Sequence, residues 1–257
     1  MTNSGGFVGG KLSFDSENRH KLPIDVKLID SFNGLDEEEP FWIEAKNYVE
    51  KHFSDNPGDL IVIDSLVKRT ITGYFPLSFE TAEIHLDKFL EERLKNFGPY
   101  QDAFVSMSGK PIDLQLRHGT LFHSTLSPMI NCGVLTPAQI VSKVSEYVGR
   151  APIQSIEGFV RQIVGWREFI RFVYIYKGEE MRCSNNLQNS KKLDSRWYNG
   201  ELGVPPVDDA IKFAFRFGYL HHILRLMVVA NFMNLSRIYP SEVYRWFLDF
   251  SLDAYDW

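Results

Sequence analysis

Two regimes of patterning divide the chain. Up to residue 76 the apolar positions keep no regular period; beyond it they recur at helical spacing. Met1–Lys11 is glycine-rich and aperiodic, as a tail or linker would be. Pro23, Pro40, Pro57 and Pro76 punctuate the stretch that follows. It predicts an irregular connector lying over a core, with one helix near Pro40 to His52. Ser78 then caps a helix whose first turns carry Glu80 and Glu83, matching the positive end of its dipole. Phe79, Ala82, Leu86, Phe89, Leu90 and Leu94 form its apolar face, and Gly98-Pro99 is the expected stop. A polar loop is expected from Tyr100 to about Thr120. Thr136, Pro137 and Gln139 make a capping-box start for a helix ending at Gly149. Ser155 opens a helix that should stop at Gly178, and a polar loop leads on to Gly200. Pro205-Pro206 starts a helix to about Phe217. Pro240-Ser241 caps a last one, Glu242 to about Leu252, with Val243, Trp246, Phe247 and Phe250 on its apolar face. No strand is expected after residue 78.

Gly218 to Phe232 stands out within this pattern. It is apolar almost all the way round, which predicts a helix buried at the centre of a domain. Yet it carries His221, His222 and Arg225, and such groups cost free energy in a core unless they are partnered. The fold class that follows is mainly α, with residues 1–76 as connector and 77–257 as a helical domain.

Composition narrows the function. A chain of 257 residues buries roughly three quarters of its unfolded surface and needs no staples. The formal net charge of −5 does not advertise nucleic acid, although a local basic groove stays open. Cys132 and Cys183 fit no metal or redox spacing and read as reduced thiols. No leader and no bilayer-length apolar run is present, so a cytoplasmic protein with no membrane partner is expected.

Four segments carry candidate chemistry. The hydroxyls of His123-Ser124-Thr125-Leu126-Ser127 can donate to phosphate oxygens, but taken alone they read as ordinary turn and cap residues. Gln162 and Trp166 share a helix face, with Arg167 and Arg171 on the neighbouring one; this suits a planar anion and equally a packed tryptophan beside solvated arginines. On one helix, His221 and His222 point about 100° apart, so they do not chelate one metal as an i, i+4 pair would. Each read singly is a core histidine; one facing a cleft is a natural proton donor. From Trp246 to Trp257, Asp253 lies among aromatics, where a carboxylate can hold a ribose hydroxyl or a ring nitrogen, or simply be solvated at a helix end.

Together and in this order the segments resemble one family. The resemblance is carried by Ser13-Phe14-Asp15-Ser16-Glu17-Asn18-Arg19, Phe97-Gly98-Pro99-Tyr100-Gln101-Asp102-Ala103 and His123 to Pro128. It is carried further by Glu157 to Glu168, Gly218 to Phe232 and Asp253-Ala254-Tyr255-Asp256-Trp257. The chain is similar to the deoxyribodipyrimidine photolyase-related proteins, the bacterial cryptochrome and (6-4) photolyase branch of the cryptochrome/photolyase superfamily. That resemblance implies a helical FAD-binding domain and light-driven electron transfer from reduced FAD to a lesion in damaged DNA, flipped out of the stack. It implies that Tyr100, Ser124, Thr125, Leu126, Ser127 and Asp253 contact the cofactor. Gln162, Trp166 and Arg167 would sit at its flavin and lesion end. His221 and His222 would face the lesion, one of them giving a proton. Trp246 and Tyr198 would be the aromatics of an electron-transfer chain.

Family members begin with an α/β antenna domain and continue past the Asp-Ala-Tyr-Asp-Trp segment. The resemblance therefore implies a domain incomplete at its C-terminus, a pocket short of one wall and poor retention of flavin or none. Pro206 stands where the first iron–sulfur cysteine is expected, so a cluster is not supported and no metal site is assigned. A non-repairing blue-light sensor, or an inactive or split gene product, alone or completed by a second chain, are the competing implications.

Overall fold

The computed structural model describes residues 5–29, 41–55 and 75–255. The expectations for 30–40 and 56–74 lie outside the described residues. Among the described residues the fold is helical, with only isolated bridges at Val148–Ala151 and Lys191–Ile238.

Helix α1 is Phe41–His52. Helix α2 (79–100) runs through Phe79–Lys88, a π-helical turn Phe89–Arg93 and Leu94–Tyr100. Ser78 caps it, in a reciprocal box with Thr81. Helices α3 (Ile112–Thr120), α4 (Ser127–Asn131) and α5 (Pro137–Ser145) follow, the last opening on the Thr136–Gln139 box. Helix α6 (153–183) joins Ile153–Val160, a π turn Arg161–Gly165 and Trp166–Cys183. Beyond it lie α7 (Arg196–Asn199), α8 (Pro205–Phe217), α9 (222–235, π-helical over Leu224–Ala230) and α10 (Pro240–Phe250).

The core collects one face from each long helix. Leu86, Phe89 and Leu94 of α2 meet Ile140 and Val144 of α5 and Phe159 of α6. Ala210, Ile211 and Phe217 of α8 belong to the same cluster, with Val229 and Met233 of α9 and Trp246 of α10. The rings of Phe89 and Phe159 lie 4.7 Å apart, and Phe97 meets Phe159 edge-on at 5.5 Å.

Five boundaries depart from the sequence expectation. Pro99 does not end α2, because Ser155 repairs the damage. Proline lacks the N–H that would bond to Lys95 O; Ser155 Oγ donates to that carbonyl instead at 3.2 Å, and accepts from Gly98 N at 3.1 Å. The expected loop from Tyr100 to Thr120 contains α3. Helix α5 ends at Ser145 rather than Gly149, its last turn loosening before Gly149 takes φ +85°. Gly178 does not stop α6, which continues to Cys183. The Gly218 segment turns helical only at His222, so His221 is not on the helix. Gly218 is the left-handed cap of α8, and its carbonyl accepts from Leu252 N at 2.8 Å.

The Ser155 bridge needs a bare α-carbon at 98. A Cβ there would stand 2.8 Å from the Cα and N of Ser155, both backbone atoms that no rotamer change can move. Gly98→Ala should therefore destabilise the chain by about 3 kcal/mol, from overpacking plus the lost bridge. Gly178→Ala, whose Cβ meets only Tyr174 at 4.0 Å, should be neutral or stabilise by up to about 1 kcal/mol. Urea midpoints of the two variants check this; a Gly98→Ala protein as stable as the parent would refute the close contact.

Aromatic exposure also falls elsewhere than the sequence suggests. Trp246 and Phe250 are buried, whereas no residue of Trp166–Cys183 is. Phe169, Phe172, Ile175 and Tyr176 all lie more than half exposed on α6.

Candidate flavin and lesion site

A cavity of about 790 Å³ opens between the 123–127 turn, the π turn of α6, the start of α9 and the segment after α10. That volume is in the range of small-molecule and cofactor pockets. Two of its walls are π-helical, and such turns are frequent at functional sites because they re-aim side chains. The first presents Gln162 and Ile163, the second Arg225 and Met227.

The 123–127 turn is bent by Leu121 and Thr125, both at positive φ (45° and 55°). A β-branched residue there is unusual and costs free energy that its surroundings must supply. His85 of α2 reaches under it, its Nε2 lying 2.9 Å from both Ser124 O and Thr125 Oγ1.

Histidines dominate one wall. The His123 and His221 rings stack at 4.5 Å and 7°. Both nitrogens of His221, and Nε2 of His123, are buried and have no hydrogen-bond partner among the described residues. Burial pushes the His123 pKa down to about 3, with help from the charges of His222 and Arg93. Burial also holds His221 well below its ordinary value, with His123, Arg225 and His222 acting in the same direction. His222 is exposed at the mouth, 6.0 Å from the Trp166 ring. Desolvation and Arg225 lower its pKa, while Asp102 opposes them. Of the pair, His222 is thus the imidazole better placed to carry a proton.

A polar clamp closes the opposite side. Arg225 Nη2 donates to Asp253 Oδ1 and Oδ2 at 2.8 and 3.0 Å, and its Nε donates to Leu220 O at 2.6 Å. Ser127 Oγ donates to Asp253 Oδ2 at 2.6 Å, and Asn131 Nδ2 to Asp253 O at 2.8 Å. Asp253 therefore ties α4, α9 and the C-terminal segment together at the cavity.

Of the residues singled out in the sequence, Ser124, Thr125, Leu126, Ser127, Gln162, Trp166, Arg167, His221, His222 and Asp253 all line this one cavity. Tyr100 does not; its ring packs 5.7 Å from Phe122, while its neighbours Gln101 and Asp102 line the wall. Trp246 lies one layer behind, 5.0 Å from the lining residue Phe247. Tyr198 is further out, 5.6 Å from Phe215, which is itself 5.6 Å from Trp246. Trp246 Nε1 donates to Trp197 O at 2.9 Å. Sequence reasoning assigned no role to Asp15 and Arg19, an ion pair lining the cavity from the connector. Only their place in the first quoted motif could have flagged them.

Comparison with known proteins bears on the family and the helical fold. The chain is 35% identical over 253 residues to a (6-4) photolyase of Agrobacterium fabrum, an alignment covering 97% of this chain and 45% of that one. The family model for deoxyribodipyrimidine photo-lyase-related protein matches residues 1–63. The chain belongs to the photolyase-related family. Uncharacterized protein R853 of Acanthamoeba polyphaga mimivirus is 38% identical over 101 residues, 38% of this chain and 77% of that shorter one. In fold, this family member is similar to a bacterial class III photolyase from Agrobacterium tumefaciens, with a TM-score of 0.56 at 22% identity over 70% of this chain and 36% of that one. The chain spans less than half the length of the photolyases it matches. Among its described residues no helix is long and apolar enough to cross a membrane, and no group of three potential metal ligands occurs.

Proposed function

We propose that this chain forms the flavin-holding domain, residues 77–257 with 1–76 as connector, of a photolyase-type flavoprotein that repairs pyrimidine photolesions in DNA. One observation carries the reading: ten residues expected from the family resemblance converge on a single cavity whose imidazole wall has three unpartnered ring nitrogens. Such buried polar atoms fit a polar, aromatic ligand better than an apolar one. FAD, when bound and reduced, supplies the electron that opens the lesion under light.

The residues divide the remaining work. The Ser124 to Ser127 turn receives the phosphates. Gln162, Trp166 and Arg167 line the end where an extruded base would enter, which is easier for a damaged, poorly stacked nucleotide. His221, buried and neutral, packs the floor; His222 at the mouth holds the proton that the lesion takes. Trp246 and Tyr198 relay electrons to the cavity from outside. On this reading the chain works in the cytoplasm with Cys132 and Cys183 reduced.

Equilibrium dialysis against FAD, followed by blue-light reduction and a repair assay on a lesion-bearing oligonucleotide, tests the proposal. Saturable binding with photoreduction and lesion loss is expected; no saturable binding would refute it. Photoreduction without repair would make the protein a photosensor. A second reading, completion by a separate polypeptide, is favoured by the aromatic face of α6, exposed among the described residues, and by the existence of a shorter viral relative. Flavin stoichiometry that rises from none to one on co-purification with a second chain would select it.

A further inference from the structure

We propose that His85 is a positioning residue that sets the phosphate-receiving turn, a role resting on the flavin reading above. Nothing in the sequence pattern marks it: it lies on α2, 39 residues before Ser124, at a helix position that reads as core. The chemistry of its bonds is specific. Ser124 O has no hydrogen to give, so His85 Nε2 must carry the proton, and the imidazole is the neutral Nε2–H tautomer. Thr125 Oγ1 gives its own hydrogen to Ser124 O at 2.7 Å, so its lone pairs are left to face the same Nε2–H at 2.9 Å. One N–H thus bridges two oxygens of one turn.

Two donors on Ser124 O fix the direction of that carbonyl toward α2. In a trans peptide the following N–H points the opposite way. The Thr125 amide is therefore turned away from His85, which does not line the cavity, whereas Ser124, Thr125 and Ser127 do. Losing His85 removes a donor from Ser124 O and favours a flip of that carbonyl into the cavity, where an oxygen repels an anion. His85 is a better clamp than a charged donor would be. Burial pushes its pKa down to about 3, aided by Arg93 and Lys88, so the imidazole stays neutral and its bonds do not vary with pH near neutrality.

The effect must be specific to phosphate-bearing ligands. In the full chain, His85→Phe should weaken FAD binding roughly tenfold, about the worth of one oriented hydrogen bond, while riboflavin, which has no phosphate, binds as before. His85→Gln, whose amide N–H can reach where Nε2 stands, should restore most of the loss. Thr125→Val, which keeps the shape and removes the bridging oxygen, should reproduce the FAD-selective defect, and it carries the test if His85→Phe does not fold. Equal FAD affinity in the parent and in both His85→Phe and Thr125→Val overturns the inference. So does a loss shared by FAD and riboflavin, which marks a purely structural role. A parent chain that binds neither ligand refutes the flavin reading itself and is distinguishable from both outcomes.

Discussion

Acidifying the protein from pH 7 to pH 5 should destabilise it steeply, by about 6 kcal/mol, well before its carboxylates protonate. His85, His123 and His221 are neutral in the folded chain, the first two pushed down to about 3 and the third held well below its ordinary value, all mainly by burial. In the unfolded chain each titrates near 6.5. Above that pH both states bind the same protons, and the stability these groups allow is fully present. As pH falls below 6.5 the unfolded chain takes up protons that the folded chain does not bind in this range, so stability is lost. Each imidazole contributes a slope of up to about 1.4 kcal/mol per pH unit, and the three together about 4. Integrated from pH 7 to pH 5 the loss is about 2 kcal/mol per imidazole and about 6 for the three, a large share of the roughly 5–15 kcal/mol of a domain. The charged neighbours oppose protonation further: Arg93 and Lys88 at His85, Arg93 and His222 at His123, Arg225 and His222 at His221. Urea midpoints at pH 7, 6 and 5 measure the slope; a flat profile would mean that these imidazoles are not buried as described.

Truncating Trp246 should be the most damaging single substitution. Its side chain is fully buried, ringed by Phe215, Phe247 and Phe250 at 5.6, 5.0 and 4.8 Å. Trp246→Ala empties that space and leaves Trp197 O without its 2.9 Å donor. A loss of about 3–5 kcal/mol follows from the cavity, with about 1 more from the hydrogen bond. Trp246→Phe keeps most of the volume and should cost about 1–2 kcal/mol. Because phenylalanine packs but does not readily give up an electron, the same variant isolates the proposed redox role. Flavin photoreduction should slow several-fold in Trp246→Phe while flavin affinity holds. Unchanged photoreduction would remove Trp246 from the electron path and leave it a core residue.

The parts of this protein that were legible in its sequence are those whose physics is local. The caps at Ser78 and Thr136 and the proline starts of α8 and α10 act within four residues of themselves. So does the apolar period that makes the fold helical. The set of candidate site residues came from the order of motifs rather than from any one of them. What failed were signals that a distant residue reverses. Pro99 reads as a stop until Ser155 takes over its missing donor. The polar run from Tyr100 to Thr120 reads as a loop; in fact Leu116 and Thr120 of α3 are buried, and the Phe213 ring sits where a Cβ on Gly119 would be. Gly178 costs too little to end an 18-residue helix.

By itself the sequence determined a helical protein of the photolyase-related family and which segments carry its chemistry. Only the tertiary structure decided that His123 stacks on His221, that Asp253 is clamped by Arg225 and Ser127, that Asp15 and Arg19 wall the cavity, and that His85 holds the turn. Each of those contacts, apart from the Asp15–Arg19 pair itself, joins residues tens of positions apart in the chain. Local periodicity sets which face of a helix is apolar, but it carries no information on which other helix that face will meet.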